Sequence, residues 1–337
     1  MKTIICEQPD HFVLTEKEAP EPAAGEALVR IRRIGICGTD LHAYKGNQPF
    51  FEYPRILGHE LAGVIERVGD DALGLKEGDQ VAVIPYMACG HCIACRSGKT
   101  NCCTGMQVLG VHRDGGMREL IAVPATHLIR TDGLTLDQTA VLEPLAIGAH
   151  AVRRADPRPG DSVLVIGAGP IGLGVMAFAK SRGARVIAMD INEERLRFCR
   201  SWAGADETVN ALEDAAEKLE ELTGGEFPSI VFDATGNKRS MEAAIGYTAH
   251  GGKLVYVGLV RADITFSDPE FHKRELTLMG SRNATPEDFD TVLSALRGGL
   301  IDVGRYITHR SPFEEMIGRF ESWLNPESKV IKAMVEL

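Results

Sequence analysis

Two periodicities divide the chain. Up to about residue 145, apolar and polar positions alternate in short runs: LVRIRRIG (28–35), GVIERVG (63–69) and DQVAVIP (79–85). Glycine and Asp-Gly signals separate them, a pattern that predicts β-strands with one buried face. From about residue 150 the pattern changes. DSVLVIG (161–167), RVIAMD (185–190), SIVFDATG (229–236), KLVYVGL (253–259) and LTLMGS (276–281) are apolar runs of strand length. Between them, PIGLGVMAFAKSRG (170–183), NEERLRFCRSW (192–202) and KRSMEAAIGYTAHGG (238–252) read as helices. Asn192 is placed to cap the second, and glycines close the third. Strand–helix alternation of this kind predicts an α/β unit with a doubly wound parallel sheet. A last helix opens at TPEDFDTVLSALRGG, with Thr285 as N-cap, Pro286 at the first helical position and Asp288 in the first turn. After about residue 282 the alternation lapses. The chain is therefore expected to return to its first domain, with domains over 1–145 plus 282–337 and over 146–281.

The length of 337 residues suits two domains. A net charge of -10 argues against nucleic acid or an anionic membrane as partner, so an acidic substrate would need a local basic pocket. No stretch approaches the ~20 apolar residues of a membrane span. The start, MKTIICEQPDHF, lacks a long apolar segment, so no signal peptide is expected. The eight cysteines are then read as metal ligands and free thiols of a cytoplasmic protein.

Four of those cysteines lie in ACGHCIACRSGKTNCC, a lobe at about 86–104. Cys89, Cys92, Cys95 and Cys103 have the spacing C-x2-C-x2-C-x7-C. Thiolates so close converge on one tetrahedral Zn²⁺, and four sulfurs leave no open position for chemistry. The expected role is a structural staple. Cys102 leaves the fourth ligand ambiguous by one residue, and Cys103 is taken.

Gly167, Gly169 and Gly172, with Pro170 and Ile171 between the last two, follow a predicted strand and open a helix. Such glycines allow a tight turn, backbone approach to a pyrophosphate and close helix packing, and the helix N-terminus favours the phosphates. Asp190 ends the next strand, where a carboxylate binds ribose hydroxyls and repels a 2′-phosphate. NAD is favoured over NADP. Asp190 could otherwise cap the next helix. Arg195, near the same site, reads best as a solvated helix face. Strand ends near Thr235, Gly258, Leu259, Ser281 and Arg282 are expected to line the cofactor crevice.

A second donor set is scattered: Cys37, Thr39, Asp40 and His42 in one run, His59 and Glu60 in another, and Glu143 in Glu-Pro-Leu. Cys, His and carboxylate are the ligands of an open, catalytic zinc. On these residues the chain resembles the zinc-dependent medium-chain dehydrogenases over essentially its whole length. The resemblance implies a GroES-like β-rich catalytic domain and a Rossmann NAD-binding domain. It implies that Cys37 and His59 bind the catalytic zinc, with Glu60 or Glu143 as the third ligand. Asp40 would orient His59, Thr39 would hydrogen-bond the substrate oxygen, and His42 would pass the proton to solvent. Glu143 in place of cysteine points to the polyol and threonine dehydrogenase branch.

The runs GNQPFFEYPRILGHE, LGVHRDGG, FSDPEFHKRE and MGSRNATPEDF resemble those of bacterial L-galactonate and L-gulonate 5-dehydrogenases. That implies NAD-linked oxidation at C5 of a sugar acid to a keto-uronate. Arg113, Arg282 and Asn283 are candidates for the substrate carboxylate, and Phe50 for a pocket wall. A neutral polyol or threonine is the alternative substrate, and an NAD-binding sensor without turnover the non-enzymatic alternative. Relatives suggest a homo-oligomer, a dimer or tetramer.

Overall fold

The computed structural model describes residues 1–48, 51–69 and 73–337. It forms two compact units, Met1–Glu143 with Val292–Leu337, and Pro144–Thr291. The divisions fall inside two helices, Leu142–Ala155 and Pro286–Arg297. The second lies beyond the 281/282 boundary expected from the sequence. The reason is that residues 282–291, including the first turns of Pro286–Arg297, pack with the second unit.

In the first unit a seven-stranded sheet runs in the order Ile307–Pro312, Lys332–Glu336, Glu26–Ile36, Glu60–Val68, Gln80–Val83 and Leu128–Arg130, with Leu120–Pro124 also paired to Glu26–Ile36. Lys332–Glu336 pairs antiparallel with Glu26–Ile36, so the C-terminal segment returns to this unit. The expected strict alternation is broken in Glu26–Ile36. Register shifts at Leu28/Val29 and Ile31/Arg33 change which face is presented, and Ala27, Leu28 and Val29 are all buried. Phe12, Tyr44 and Phe320 pack ring to ring at 4.8–5.2 Å and close one end of this core.

The second unit is a six-stranded parallel sheet in the order Glu207–Asn210, Arg185–Asp190, Ser162–Ile166, Ile230–Asp233, Lys253–Tyr256 and Thr277–Gly280. In order of appearance that is 3-2-1-4-5-6, the dinucleotide-binding arrangement. Val163, Leu164, Val165 and Val231 are wholly buried, which is why these strands read as unbroken apolar runs. Glu207–Asn210 was not anticipated, because ETVN is short and mostly polar. The helix expected over 238–252 covers only Lys238–Ala243. Gly246 weakens its continuation, and the Thr248 hydroxyl donates to the Ala244 carbonyl at 2.9 Å. The helix at Asn192 spans Glu193–Phe198 and continues through a wider turn, Cys199–Ala203, to Gly204.

Candidate active site and metal centres

The sulfurs of Cys89, Cys92, Cys95 and Cys103 all lie within 4.8 Å of one another, and all eight cysteines are free of disulfides. Cys92 and Cys95 sulfurs are 3.4 Å apart, and the Cys89 amide donates to Cys103 Sγ at 3.2 Å. Backbone amides of Cys95 and Thr104 pull the Cys92 thiol down to about 5, so it is poised as a thiolate. Cys103 is buried in the cluster, whereas Cys102 is exposed. The donor chemistry fits a closed, four-thiolate zinc site.

The second donor set gathers from two segments of the same unit. Cys37 caps the helix Gly38–Tyr44, and His59 and Glu60 stand at the start of the strand Glu60–Val68. One ligand atom from each of Cys37, His59 and Glu60 lies within 4.8 Å of the others. Thiolate, imidazole and carboxylate fit an open zinc site, and the local charge favours a cation. Burial works against a charged His59 ring, yet the charges of Asp40 and Cys37 outweigh it and raise its pKa well above the usual value. Thr39 is half-buried and His42 exposed on the same helix.

Asp40 acts differently from the expectation. Its Oδ1 is 3.8 Å from His59 Nδ1, too far for a hydrogen bond, and that nitrogen has no partner among the described residues. Instead Oδ2 accepts the Cys37 amide at 2.9 Å and Oδ1 the Gly58 amide at 3.1 Å. With both oxygens so engaged, the buried carboxylate ties together the two backbone segments that carry the donors. Burial raises its pKa, and it raises that of Glu143.

The two candidate carboxylates also part company. Glu60 belongs to the donor group; Glu143 does not, and accepts a hydrogen bond from the Tyr86 hydroxyl. Both Glu60 oxygens face Lys332 Nζ, at 2.6 and 2.8 Å, and Lys332 also donates to the Ile36 carbonyl at 3.1 Å. Lys332 is 2% exposed and Glu60 0%. Burial alone would lower the lysine's pKa, but Glu60 outweighs it and raises it, so the ammonium stays charged.

In the second unit, Gly167 has φ +98 and leads into the helix Pro170–Ser181, with Gly169 as its cap and Pro170 as its first residue. A Cβ on Gly172 would lie 1.8 Å from the Gly167 carbonyl oxygen, so only glycine fits. A Cβ on Gly169 would meet nothing within 4 Å, which leaves its backbone open to a ligand. Ile171 follows in the first turn. Asp190 Oδ2 accepts the Ala168 amide at 2.7 Å and Oδ1 the Asn192 amide at 2.9 Å. The helix cap is Asn192, whose side chain accepts from Glu194 and Arg195. Arg195 is half-buried in that helix rather than fully solvated.

At the neighbouring strand ends, Thr235 bonds the buried Asp233 through its amide and hydroxyl at 2.9 and 2.6 Å. A Cβ on Gly258 would lie 2.3 Å from the Gly236 nitrogen, so these loops touch. Leu259 is 72% exposed, and Ser281 Oγ is buried without a partner among the described residues. An apolar side chain, an unsatisfied hydroxyl and an open glycine cradle fit a dinucleotide. Arg282 is exposed, and Asn283 is half-buried with φ 53.

Residues 23–133 match the alcohol dehydrogenase GroES-like domain, and residues 170–297 the zinc-binding dehydrogenase domain. The chain is 46% identical over 335 residues to the L-galactonate-5-dehydrogenase of Escherichia coli K12, covering 99% of this chain and 98% of that protein. The chain belongs to the zinc-type alcohol dehydrogenase family. Its fold matches that of short chain alcohol dehydrogenase RspB from E. coli CFT073, solved with NADH, at a TM-score of 0.93, with 32% identity and coverage of 100% and 99%. Galactitol-1-phosphate dehydrogenase from E. coli gives a TM-score of 0.93 at 28% identity, with 100% of both chains covered. The protein is thus an NAD-linked, zinc-type alcohol dehydrogenase.

Some residues of this dehydrogenase stand elsewhere than the sequence suggested. Arg113 lines a cavity of about 360 Å³ in the first unit whose wall includes none of Cys37, His59 and Glu60. Its loop folds back on itself, with the Gly110 amide bonded to the Arg113 carbonyl at 2.7 Å. Arg113, expected as a ligand of the substrate carboxylate, is exposed and stands at this cavity. Phe50 lies outside the described residues. Lys332, Tyr86 and Gly35 were missed, each a residue type that ordinarily carries no signal in a strand. No described helix is long and apolar enough to cross a membrane.

Proposed function

We propose that this dehydrogenase oxidises the C5 hydroxyl of L-galactonate or L-gulonate with NAD, giving a keto-uronate. The observation that carries the reading is the 46% identity to an L-galactonate-5-dehydrogenase over 99% of the chain. When bound, zinc supplies Lewis-acid polarisation of the alcohol, and the nicotinamide accepts the hydride. Cys37, His59 and Glu60 hold the catalytic ion. Cys89, Cys92, Cys95 and Cys103 hold the structural one. Thr39 accepts the alcohol proton's hydrogen bond and His42, exposed on the same helix, releases the proton to solvent. Glu143 is kept in place by Tyr86 and is available as an alternative ligand.

Gly167, Gly169, Pro170, Ile171 and Gly172 cradle the pyrophosphate, and Asp190 takes the ribose hydroxyls and rejects a 2′-phosphate. Thr235, Gly258, Leu259, Ser281 and Arg282 complete the coenzyme site, and Asn283 with Arg282 serves the substrate carboxylate. The active form is a homo-oligomer, a dimer or tetramer, which sedimentation velocity reads.

A neutral polyol is the second reading, favoured by the 32% identity over 331 residues to an L-arabinitol 4-dehydrogenase of Aureobasidium melanogenum. Steady-state kinetics with NAD and a panel of L-galactonate, L-gulonate, sorbitol, galactitol and threonine separates the two. The expected result is a higher kcat/KM for an aldonate. A higher value for a neutral polyol overturns the sugar-acid assignment and leaves the dehydrogenase intact.

A further inference from the structure

The cavity that captures Arg113 is short of negative charge. Arg55, Arg113 and Arg118 line it together with His112, facing the carboxylates of Glu26 and Asp114. Asp114 forms only a long ion pair with Arg55 and leaves the Nε donors unpaired among the described residues. Asp114 Oδ1 stands 3.6 Å from Arg55 Nη1, beyond hydrogen-bond reach, and already accepts the Ile56 amide at 3.1 Å. Glu26 accepts the Ala23 amide at 3.0 Å. The Nε atoms of Arg55 and Arg118 are buried and have no hydrogen-bond partner among the described residues. The Arg118 guanidinium donates from Nη2 to the Asp114 carbonyl at 3.4 Å. Burial pulls the Arg118 pKa below its usual value, with Asp114 opposing. A buried donor left unpaired is costly, and the cost is largest for a charged one.

We propose that this cavity is a second small-molecule site, which binds a small organic carboxylate between Arg55 and Arg118, with the exposed Arg113 at its mouth. A guanidinium fork presents paired donors to the two oxygens of a planar carboxylate. The volume, about 360 Å³, is at the small end of ligand pockets. The wall contains no candidate zinc ligand, so a carboxylate here does not compete with the alcohol for the metal. The site nevertheless borders the metal centre's support. The Gly115 amide bonds the Ile56 carbonyl at 2.7 Å and the Met117 amide the Leu57 carbonyl at 2.9 Å, along the segment that leads into His59. The proposal depends on neither the identity of the alcohol substrate nor the choice of coenzyme.

Isothermal titration of the zinc-loaded full chain tests it, with glutarate as the probe because it carries carboxylates and no hydroxyl to oxidise. The expected result is one glutarate site per chain, weakened at least tenfold in Arg118→Met and severalfold in Arg113→Gln. Arg113 is exposed, so its variant guards against a folding defect at Arg118; unchanged zinc content and unfolding midpoint establish that both variants fold. No binding to the wild type, or equal binding to both variants, overturns the proposal. So does binding of inorganic phosphate without glutarate, which would assign the cavity to another anion class. Dissociation of the assembly in Arg118→Met would show that a carboxylate of a second copy fills the cavity, and the free-ligand proposal would fall.

Discussion

Lys332 decides what charge the donor set carries. Its ammonium meets both Glu60 oxygens across 272 positions of sequence, inside a unit where neither side chain reaches water. Gly35 makes room for the pair: a Cβ there would stand 2.0 Å from Glu60 Oε2. Breaking a buried, hydrogen-bonded ion pair by removing one partner costs about 3–5 kcal/mol, and Lys332 faces both Glu60 oxygens. Lys332→Met should therefore lower the unfolding midpoint sharply in zinc-depleted protein. Zinc supplies the missing positive charge, so the loss should be much smaller in loaded protein. Thermal unfolding with and without zinc reads the difference, and equal losses would refute the coupling. Asp190 offers a second test at this scale. Asp190→Ala should weaken NAD and narrow its preference over NADP, and a wild type that prefers NADP in steady-state kinetics would sink the assignment. Cys37, His59 and Glu60 were legible in the sequence because thiolate, imidazole and carboxylate are few and chemically distinctive. Lys332 was not, since a strand lysine ordinarily lies in solvent and its partner is distant in sequence. Where Arg113 stands could not be read in advance, because the direction of a loop side chain is set by the turn it sits in, which its residue type does not encode. The hydrogen bonds that Asp40 accepts from the Cys37 and Gly58 amides were not legible, because backbone amides carry no sequence signal.

Among the elements, the cysteine lobe and the glycine turn were the easiest to read. Each is a spacing that few other physical demands would produce. The inner strands of the parallel sheet came through as apolar runs because both their faces are buried. Of the two edge strands, Glu207–Asn210 escaped because it is short and mostly polar, while Thr277–Gly280 is apolar although largely exposed. Helix ends were harder: Lys238–Ala243 stops just before Gly246, and the Thr248 hydroxyl bonds back to the Ala244 carbonyl. The lobe carries its own prediction. Four thiolates close the Cys89, Cys92, Cys95 and Cys103 site, whereas the Cys37, His59 and Glu60 site keeps an open position. Mild chelation should remove one zinc first, together with activity, while the second stays. Cys92→Ser should lower stability, and Cys37→Ser should chiefly abolish turnover. Metal analysis during chelation checks the order, and one zinc per fully active chain would contradict it.

At the scale of the whole molecule, acid should act through a buried cluster in the second unit. Asp288 is 1% exposed and accepts from Arg153 Nε at 2.7 Å, pairs with His150 Nδ1 at 2.8 Å, and accepts the Thr285 amide at 2.8 Å. Burial alone would raise its pKa, but the hydrogen bonds from His150, Arg153 and Thr285 win and hold it far below the carboxylate range. These contacts join the helices Leu142–Ala155 and Pro286–Arg297, the two elements in which the chain passes from one unit to the other. The folded pKa is depressed, so the stabilisation is fully present above the unfolded value of ~3.9 and is lost as the pH falls below it. The wild type should hold its unfolding midpoint from pH 7 to about 5 as far as this group is concerned, then lose it steeply below about 4. Asp288→Asn removes the charge opposite Arg153, which is partly exposed and also pairs with Glu287 at 3.2 Å, and should cost about 2 kcal/mol at neutral pH. It should also flatten the acid limb, since the variant has no proton to take up at that position. Unfolding midpoints measured across pH for both proteins, each with its zinc content monitored, give the two slopes. Parallel acid limbs would mean that the two helices are held by packing alone and that the loss of stability at low pH arises at other carboxylates.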